Sequence, residues 1–174
     1  MYHVLKYEGY VPKIDNSAFI AGGSYIIGKV EIGKDSSIWF NCVLRGDVGS
    51  ITIGNETNIQ DGTVIHVDRN VGGDTIIGNM VTVGHFCVLH ACKIHDKAFV
   101  GMSSTIMDHA IVEPEAMVAA GSLVTAGKVV KSGEIWAGRP AKFFKKMAKE
   151  EIKHIEESAK NYVLLMKDYI LQSY

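Results

Sequence analysis

The sequence predicts an all-β solenoid, a parallel β-helix of hexapeptide repeats in about seven coils, followed by a C-terminal α-helix. Three observations predict it. An aliphatic residue recurs at every sixth position; Gly, Asn and Asp recur in step with it; and the last part of the chain abandons this period for one of three and four.

The repeat opens at Ile14, Ile20, Ile26, Ile32, Ile38 and Leu44, and four residues after each stand Ala18, Ser24, Val30, Ser36, Cys42 and Val48. Both positions are expected to face inward. After a slip of three residues the phase resumes at Ile53, Ile59 and Ile65, holds through Ile77, Val83 and Leu89, loses one residue before Ile94, and runs unbroken to Val130. A period of six fits neither an amphipathic helix, which repeats every 3.6 residues, nor a half-buried strand, which repeats every 2. Short strands joined by tight turns do fit, with three hexads to each triangular coil. Turn formers fall at Ile32-Gly33-Lys34-Asp35, Ile53-Gly54-Asn55-Glu56 and Ile77-Gly78-Asn79-Met80, where Gly or Asn is expected to take the positive φ of a corner.

Beyond the repeat, Phe144, Met147, Ile152, Ile155, Ala159, Tyr162, Val163, Met166, Tyr169 and Ile170 recur at three and four with Lys and Glu between them. This predicts an amphipathic helix packed on the prism. Pro140, in Gly138-Arg139-Pro140, marks where the coil ends and the helix begins, giving a β-helix over 1–138 and a helical segment over 139–174 within one structural domain.

With 174 residues, 47% hydrophobic, the chain suits one globular domain with a sizeable core. A net charge of −1 and the lack of a basic stripe argue against nucleic acid, and no apolar run reaches the length of a membrane span. No signal-peptide core follows Met1, so a cytoplasmic location is expected. Cys42 and Cys87 sit at inward positions of the repeat, and Cys92 lacks a paired cysteine, so all three read as core.

Seven histidines are present, and three stand out by their place in the repeat. His66 follows Ile65, His85 lies two after Val83, and His90 follows Leu89, so all three turn outward from nearby coils. On one prism they would be spread around the perimeter. If prisms pack side by side, imidazoles from two chains meet in the cleft, and three neutral nitrogens with one open position make the catalytic pattern of a zinc site. A cyclic homotrimer satisfies this most simply. Arg45, Asp47, Gln60 and Asp61 lie among hexads of otherwise small and aliphatic residues and need partners; Arg45 with Asp61 suits a pair across an interface, and Gln60 an uncharged hydrogen bond to a metal-bound hydroxide.

Arg45-Gly46-Asp47, Asn58-Ile59-Gln60-Asp61-Gly62, His66, Val83-Gly84-His85, Leu89-His90, Val100-Gly101-Met102 and Gly138-Arg139-Pro140-Ala141-Lys142 together resemble the γ-class carbonic anhydrase family over nearly the whole chain. The resemblance implies a left-handed β-helix, a homotrimer and one metal ion per interface. It further implies that His66 and His90 come from one subunit and His85 from its neighbour, that Arg45 and Asp61 tie subunits together, and that Gln60 orients the metal-bound water or hydroxide. The implied reaction is reversible hydration of carbon dioxide to bicarbonate by metal-bound hydroxide, with Zn2+ expected and Fe2+ or Co2+ also suited to three imidazoles. The best-known active members carry a glutamate after Arg-Gly-Asp, where Val48 stands here, and an acidic loop after the first histidine ligand, where this chain has only residues 67–74. A proton carrier is thus replaced, by Tyr162, Asp68 or buffer. Two other functions share the prism: an acyl-CoA thioesterase or acyltransferase of the hexapeptide-repeat class, and a non-catalytic metal-binding scaffold.

Overall fold

The computed structural model describes residues 1–173. The chain winds into a three-faced solenoid of about seven turns with a single C-terminal helix. The first face is an eight-stranded sheet in which short strands such as Asn58–Ile59 and Thr82–Val83 stack in parallel register. The second and third faces form one 12-stranded sheet, because Tyr25–Ile32 and Val43–Ile53 run unbroken around the corner between them. Val43 and Leu44 pair with Val64 and Ile65 on the second face, whereas Ile51, Thr52 and Ile53 pair with Thr75, Ile76 and Ile77 on the third. The slip of three residues after Leu44 is absorbed in that continuous strand.

The hexad openers form the core. Ile26, Ile38, Leu44, Ile59, Ile65, Leu89, Ile94 and Ile106 are all fully buried in one continuous cluster. Each such side chain stabilises the fold by roughly 1.5–3 kcal/mol relative to exposure. Val71 is the exception. It stands where the unbroken phase places an opener, yet it is 102% exposed, on a turn outside any strand. Residues 68–74 form a loop closed at its neck by the Asp68 amide donating to the Gly73 carbonyl at 2.8 Å. The loop lengthens the interval from Ile65 to Ile77 by one hexad, to twelve residues, so the phase returns at Ile77 without a face being added.

The corners correct one expectation. At the turns after Ile32, Ile53 and Ile77 positive φ falls on Asp35, Glu56 and Met80, at 51°, 55° and 54°, and not on the glycines or asparagines. Gly33 and Gly54 answer a different need. A Cβ on Gly33 would lie 2.6 Å from the Gly54 carbonyl oxygen, and one on Gly54 would lie 2.6 Å from that of Gly78, so bare backbone is required for coils to stack. The asparagines bond between coils: Asn55 Oδ1 accepts the Lys34 amide, and Asn79 Oδ1 accepts the Asn55 amide, each at 2.8 Å. At the corner leading into the second face the left-handed residues include Gly23, Asn41, Gly62, Phe86, Ser103 and Gly121. For a residue with a Cβ this conformation costs about 1–2 kcal/mol.

The chain does not turn helical at Pro140. Ala141–Lys146 folds back antiparallel on Glu134–Gly138, burying Ala141 and closing the end of the solenoid with Trp136 packed on the core. Phe143 and Phe144 lie next to each other in this strand and are both exposed, so Phe144, which the helical spacing had assigned to the amphipathic stripe, belongs to the closing hairpin and not to the helix. The helix runs Lys149–Ser173, and the Glu151 carboxylate caps its start by accepting the Ala148 amide at 2.9 Å. Ile155, Ala159 and Met166 are buried as the period of three and four requires, and Met166 joins Phe19, Ala21 and Trp39 in a second cluster on the first face. Among the described residues no helix is long and apolar enough to cross a membrane.

Candidate metal centre

On the second face Leu44, Ile65 and Leu89 point inward, so the residues after them, Arg45, His66 and His90, point outward, the two histidines at their strand ends and Arg45 within the continuous strand Val43–Ile53. His66 and His90 are partners in adjacent parallel strands, and their ring centroids stand 5.2 Å apart. Each ring is gripped by a carboxylate. His66 Nε2 lies 3.0 Å from Asp47 Oδ1, and His90 Nδ1 lies 2.9 Å from Asp108 Oδ1. An ionised carboxylate only accepts, so each imidazole donates from that nitrogen and keeps a lone pair on the other, the state a metal ligand requires. Asp47 also accepts from Arg45 Nη1 at 2.5 Å and from the Val48 amide at 2.9 Å. Burial alone would raise its pKa, but the hydrogen bonds from Arg45 and His66 and the charge of Arg45 prevail and hold it at about 2.

His85 lies elsewhere, on the turn through which the chain enters the second face. Its Nδ1 is 2.7 Å from Asp61 Oδ2, while Asp61 Oδ1 accepts the Phe40 amide at 3.1 Å. Gln60 precedes Asp61 at the edge of the first face, buried, with Nε2 donating to Asn58 Oδ1 at 3.1 Å. Asn58 in turn donates to Thr82 Oγ1, whose hydroxyl meets Ser158 of the helix at 3.4 Å. Tyr162, on the same helix, packs edge-on against Trp39; burial first, and then the charge of Asp61, push its hydroxyl pKa above the usual value.

The candidate residues therefore fall into two half-sites at opposite edges of the second face. Arg45, Asp47, His66 and His90 stand where the chain leaves that face, and Gln60, Asp61, His85 and Tyr162 where it enters. Among the described residues no three His, Cys, Asp or Glu side chains converge on a metal-sized site within one chain. Inside the chain Arg45 pairs with Asp47, and Asp61 with His85. Val48, where the resemblance expects a glutamate, packs half-buried against the core. The three cysteines are fully buried; burial pushes the thiols of Cys42 and Cys92 up to about 12 and that of Cys87 to about 11. His3 is taken up in stacking on Tyr25 at 4.5 Å.

Sequence reasoning missed Asp108 as the partner of His90. The coil between them is 17 residues, one short of three hexads, so Asp108 lies one residue past the register partner of His90 and spacing alone does not pair them. His85 and Asp61 are likewise one coil apart, across the longer turn that contains the loop.

This arrangement defines a hexapeptide-repeat solenoid carrying an outward histidine pair with its own carboxylate partners. No family model matches the chain. It is 52% identical over 158 residues to a mitochondrial γ-carbonic anhydrase of Arabidopsis thaliana, covering 88% of this chain and 57% of that protein. It is 42% identical over 160 residues to a carbonic anhydrase of Geobacillus kaustophilus, covering 92% and 87%. Among solved structures it resembles a hexapeptide transferase family protein of Anaplasma phagocytophilum, with a TM-score of 0.92 and 55% identity over 95% of this chain and 97% of that one. The chain belongs to the γ-class carbonic anhydrase family. It spans little more than half the length of the plant relative it matches.

Proposed function

We propose that the chain interconverts carbon dioxide and bicarbonate at a site shared between copies of itself, with a divalent ion, zinc first among the candidates, held by His66 and His90 of one copy and His85 of another. The observation that carries this reading is the division of the site into two half-sites on opposite edges of one face. Half-sites on opposite edges suit a head-to-tail contact, which makes a ring where its rotation closes, and three prisms of triangular section, a homotrimer, make the smallest such ring. The second face suits this role, because Tyr25, Val64 and Val88 are exposed along it and Phe40, Phe86 and Met102 along its entering corner.

The donor set fits a metal. Each of the three imidazoles has one nitrogen engaged by a carboxylate and the other free, which fixes the tautomer before any ion arrives. A bound divalent ion supplies Lewis acidity that brings the ionisation of water toward neutral pH. Asp47 and Asp108 hold the rings in place, and Arg45 keeps Asp47 ionised. Gln60, its amide held by Asn58, offers an uncharged hydrogen-bonding group from the other half-site. Val48 carries no titratable group, so protons leave by another residue or by buffer.

The test is the carbon dioxide hydration rate of protein whose zinc content has been measured and saturated. His85→Ala is expected to lower that rate by more than ~100-fold, to the level of metal-free protein. A rate at full zinc occupancy no better than that variant's would reject the reaction.

One observation favours a second reading, thioester hydrolysis at the same site. A largely apolar cavity of about 600 Å3 is lined by Gln60 together with Gly84, Gly101, Ala119 and Phe144, a volume an acyl chain could fill. Release of free thiol from acyl-CoA that His85→Ala abolishes would support it.

A further inference from the structure

Phe86 is placed unlike any other aromatic side chain among the described residues. It sits at a φ of 57°, in a corner row whose other left-handed members, Gly23, Asn41, Gly62, Ser103 and Gly121, are small or polar residues that tolerate this conformation. It is also 68% exposed. Its own chain offsets the costs of this backbone conformation and of a phenyl ring in water only in part, through the Phe86 amide donating to the Asp61 carbonyl at 2.9 Å and the ring lying over Gly62, and such strain persists where surrounding structure holds it in place.

Its direction is set by the residue one coil above. A Cβ on Gly62 would lie 2.5 Å from the Phe86 ring, so the bare glycine gives the ring its seat. Phe40 and Met102, each one residue before a member of the same corner row, are also exposed, so apolar side chains recur along this corner and make it an apolar ridge interrupted by Asp61 and His85. His85 is the preceding residue, in the same turn, with its imidazole held by Asp61 from the coil above. Whatever fixes Phe86 therefore fixes the backbone from which His85 projects.

We infer that Phe86 is the anchor by which one copy seats His85 in the half-site of its neighbour, a positioning residue that becomes buried on assembly. This rests on the shared-site reading above: the His66 and His90 pair lacks a third ligand, the missing ligand is His85, and the ridge beside it is apolar. The occupant of the ridge is a second copy of this chain. In the single chain Phe86 costs conformational energy, and in the assembly its burial returns more than that cost.

The two costs have opposite signs, and that separates them experimentally. Phe86→Gly and Phe86→Asn suit the left-handed backbone, so both variants fold. As dilute, metal-free chains they are expected to melt about 2–4 °C above the parent, the shift that relief of modest strain gives a chain of this size. With zinc present, sedimentation across a dilution series is expected to show assembly weakened roughly thirtyfold or more, the range for loss of a central aromatic anchor. Zinc bound per chain, by elemental analysis after gel filtration, should fall in parallel, while Phe86→Tyr should assemble as the parent does. Glycine and asparagine variants that assemble and hold zinc like the parent would overturn the role of Phe86 alone. A parent chain that stays monomeric with zinc at every concentration would overturn the shared site itself.

Discussion

The two halves of the solenoid obey the same rule inside and different rules outside. From Ile94 to Val130 an opener returns at every sixth residue without interruption, whereas between Leu44 and Ile94 the chain inserts three residues, then a hexad-long loop, and then drops one. Nearly every candidate side chain lies on the interrupted half; the regular half contributes Asp108 alone. The comparison teaches that the core asks only for openers to come back into phase. Surplus residues accumulate at the corners, and the polar groups of the site stand on the strands and turns beside them.

If the interior is equally tight in both halves, truncating an opener should cost the same in each. Leu89→Ala, beside the histidines, and Ile106→Ala, in the regular half, are both expected to lose about 3 kcal/mol in denaturant titrations. A much smaller loss for Leu89→Ala would show the interrupted half to be loosely packed, and the comparison would fail.

A smaller effect tests the one link from the regular half to the site. Asp108→Ala removes the acceptor for His90 Nδ1 and should weaken zinc binding about 10- to 100-fold, measured by competition with a chromophoric chelator. An unchanged affinity would confine the regular half to scaffolding. The smallest effect belongs to Val71, which has the sequence place of an opener but lies outside the core. Val71→Ser should shift stability by no more than about 0.5 kcal/mol in the same titrations.

The fold was legible because burial writes itself into the sequence with a fixed period. Ile26, Ile59 and Val118 follow from counting, and so does the outward turn of His66, His85 and His90. Counting alone does not show that Val71 lies outside the core, because an insertion of one hexad preserves the count while leaving the prism. The strand Ala141–Lys146 was missed because Phe144 and Met147 happen to continue the helical spacing, and no local feature separates an antiparallel closing strand from a first helical turn. At the site, residue types were legible and pairings were not. Arg45 meets Asp47, and His90 meets Asp108, through coil geometry, which a linear reading shows only when the length of each coil is known.

The loop over residues 68–74 begins and ends at one place. Its neck is the bond from the Asp68 amide to the Gly73 carbonyl, and its far end is tied down where Asp74 accepts the Ser50 amide and Thr75 donates to the His66 carbonyl at 2.6 Å. Everything between these clasps hangs outside the prism, a short distance along the chain from a histidine of the proposed centre. Closing a longer flexible loop costs only about 0.6 kcal/mol per doubling of its length. The segment thus behaves as an exchangeable cartridge. Its contents can be rewritten, acidic or neutral, longer or shorter, without rewinding a single coil, so the chemistry at the mouth of the site is free to diverge while the architecture stays still.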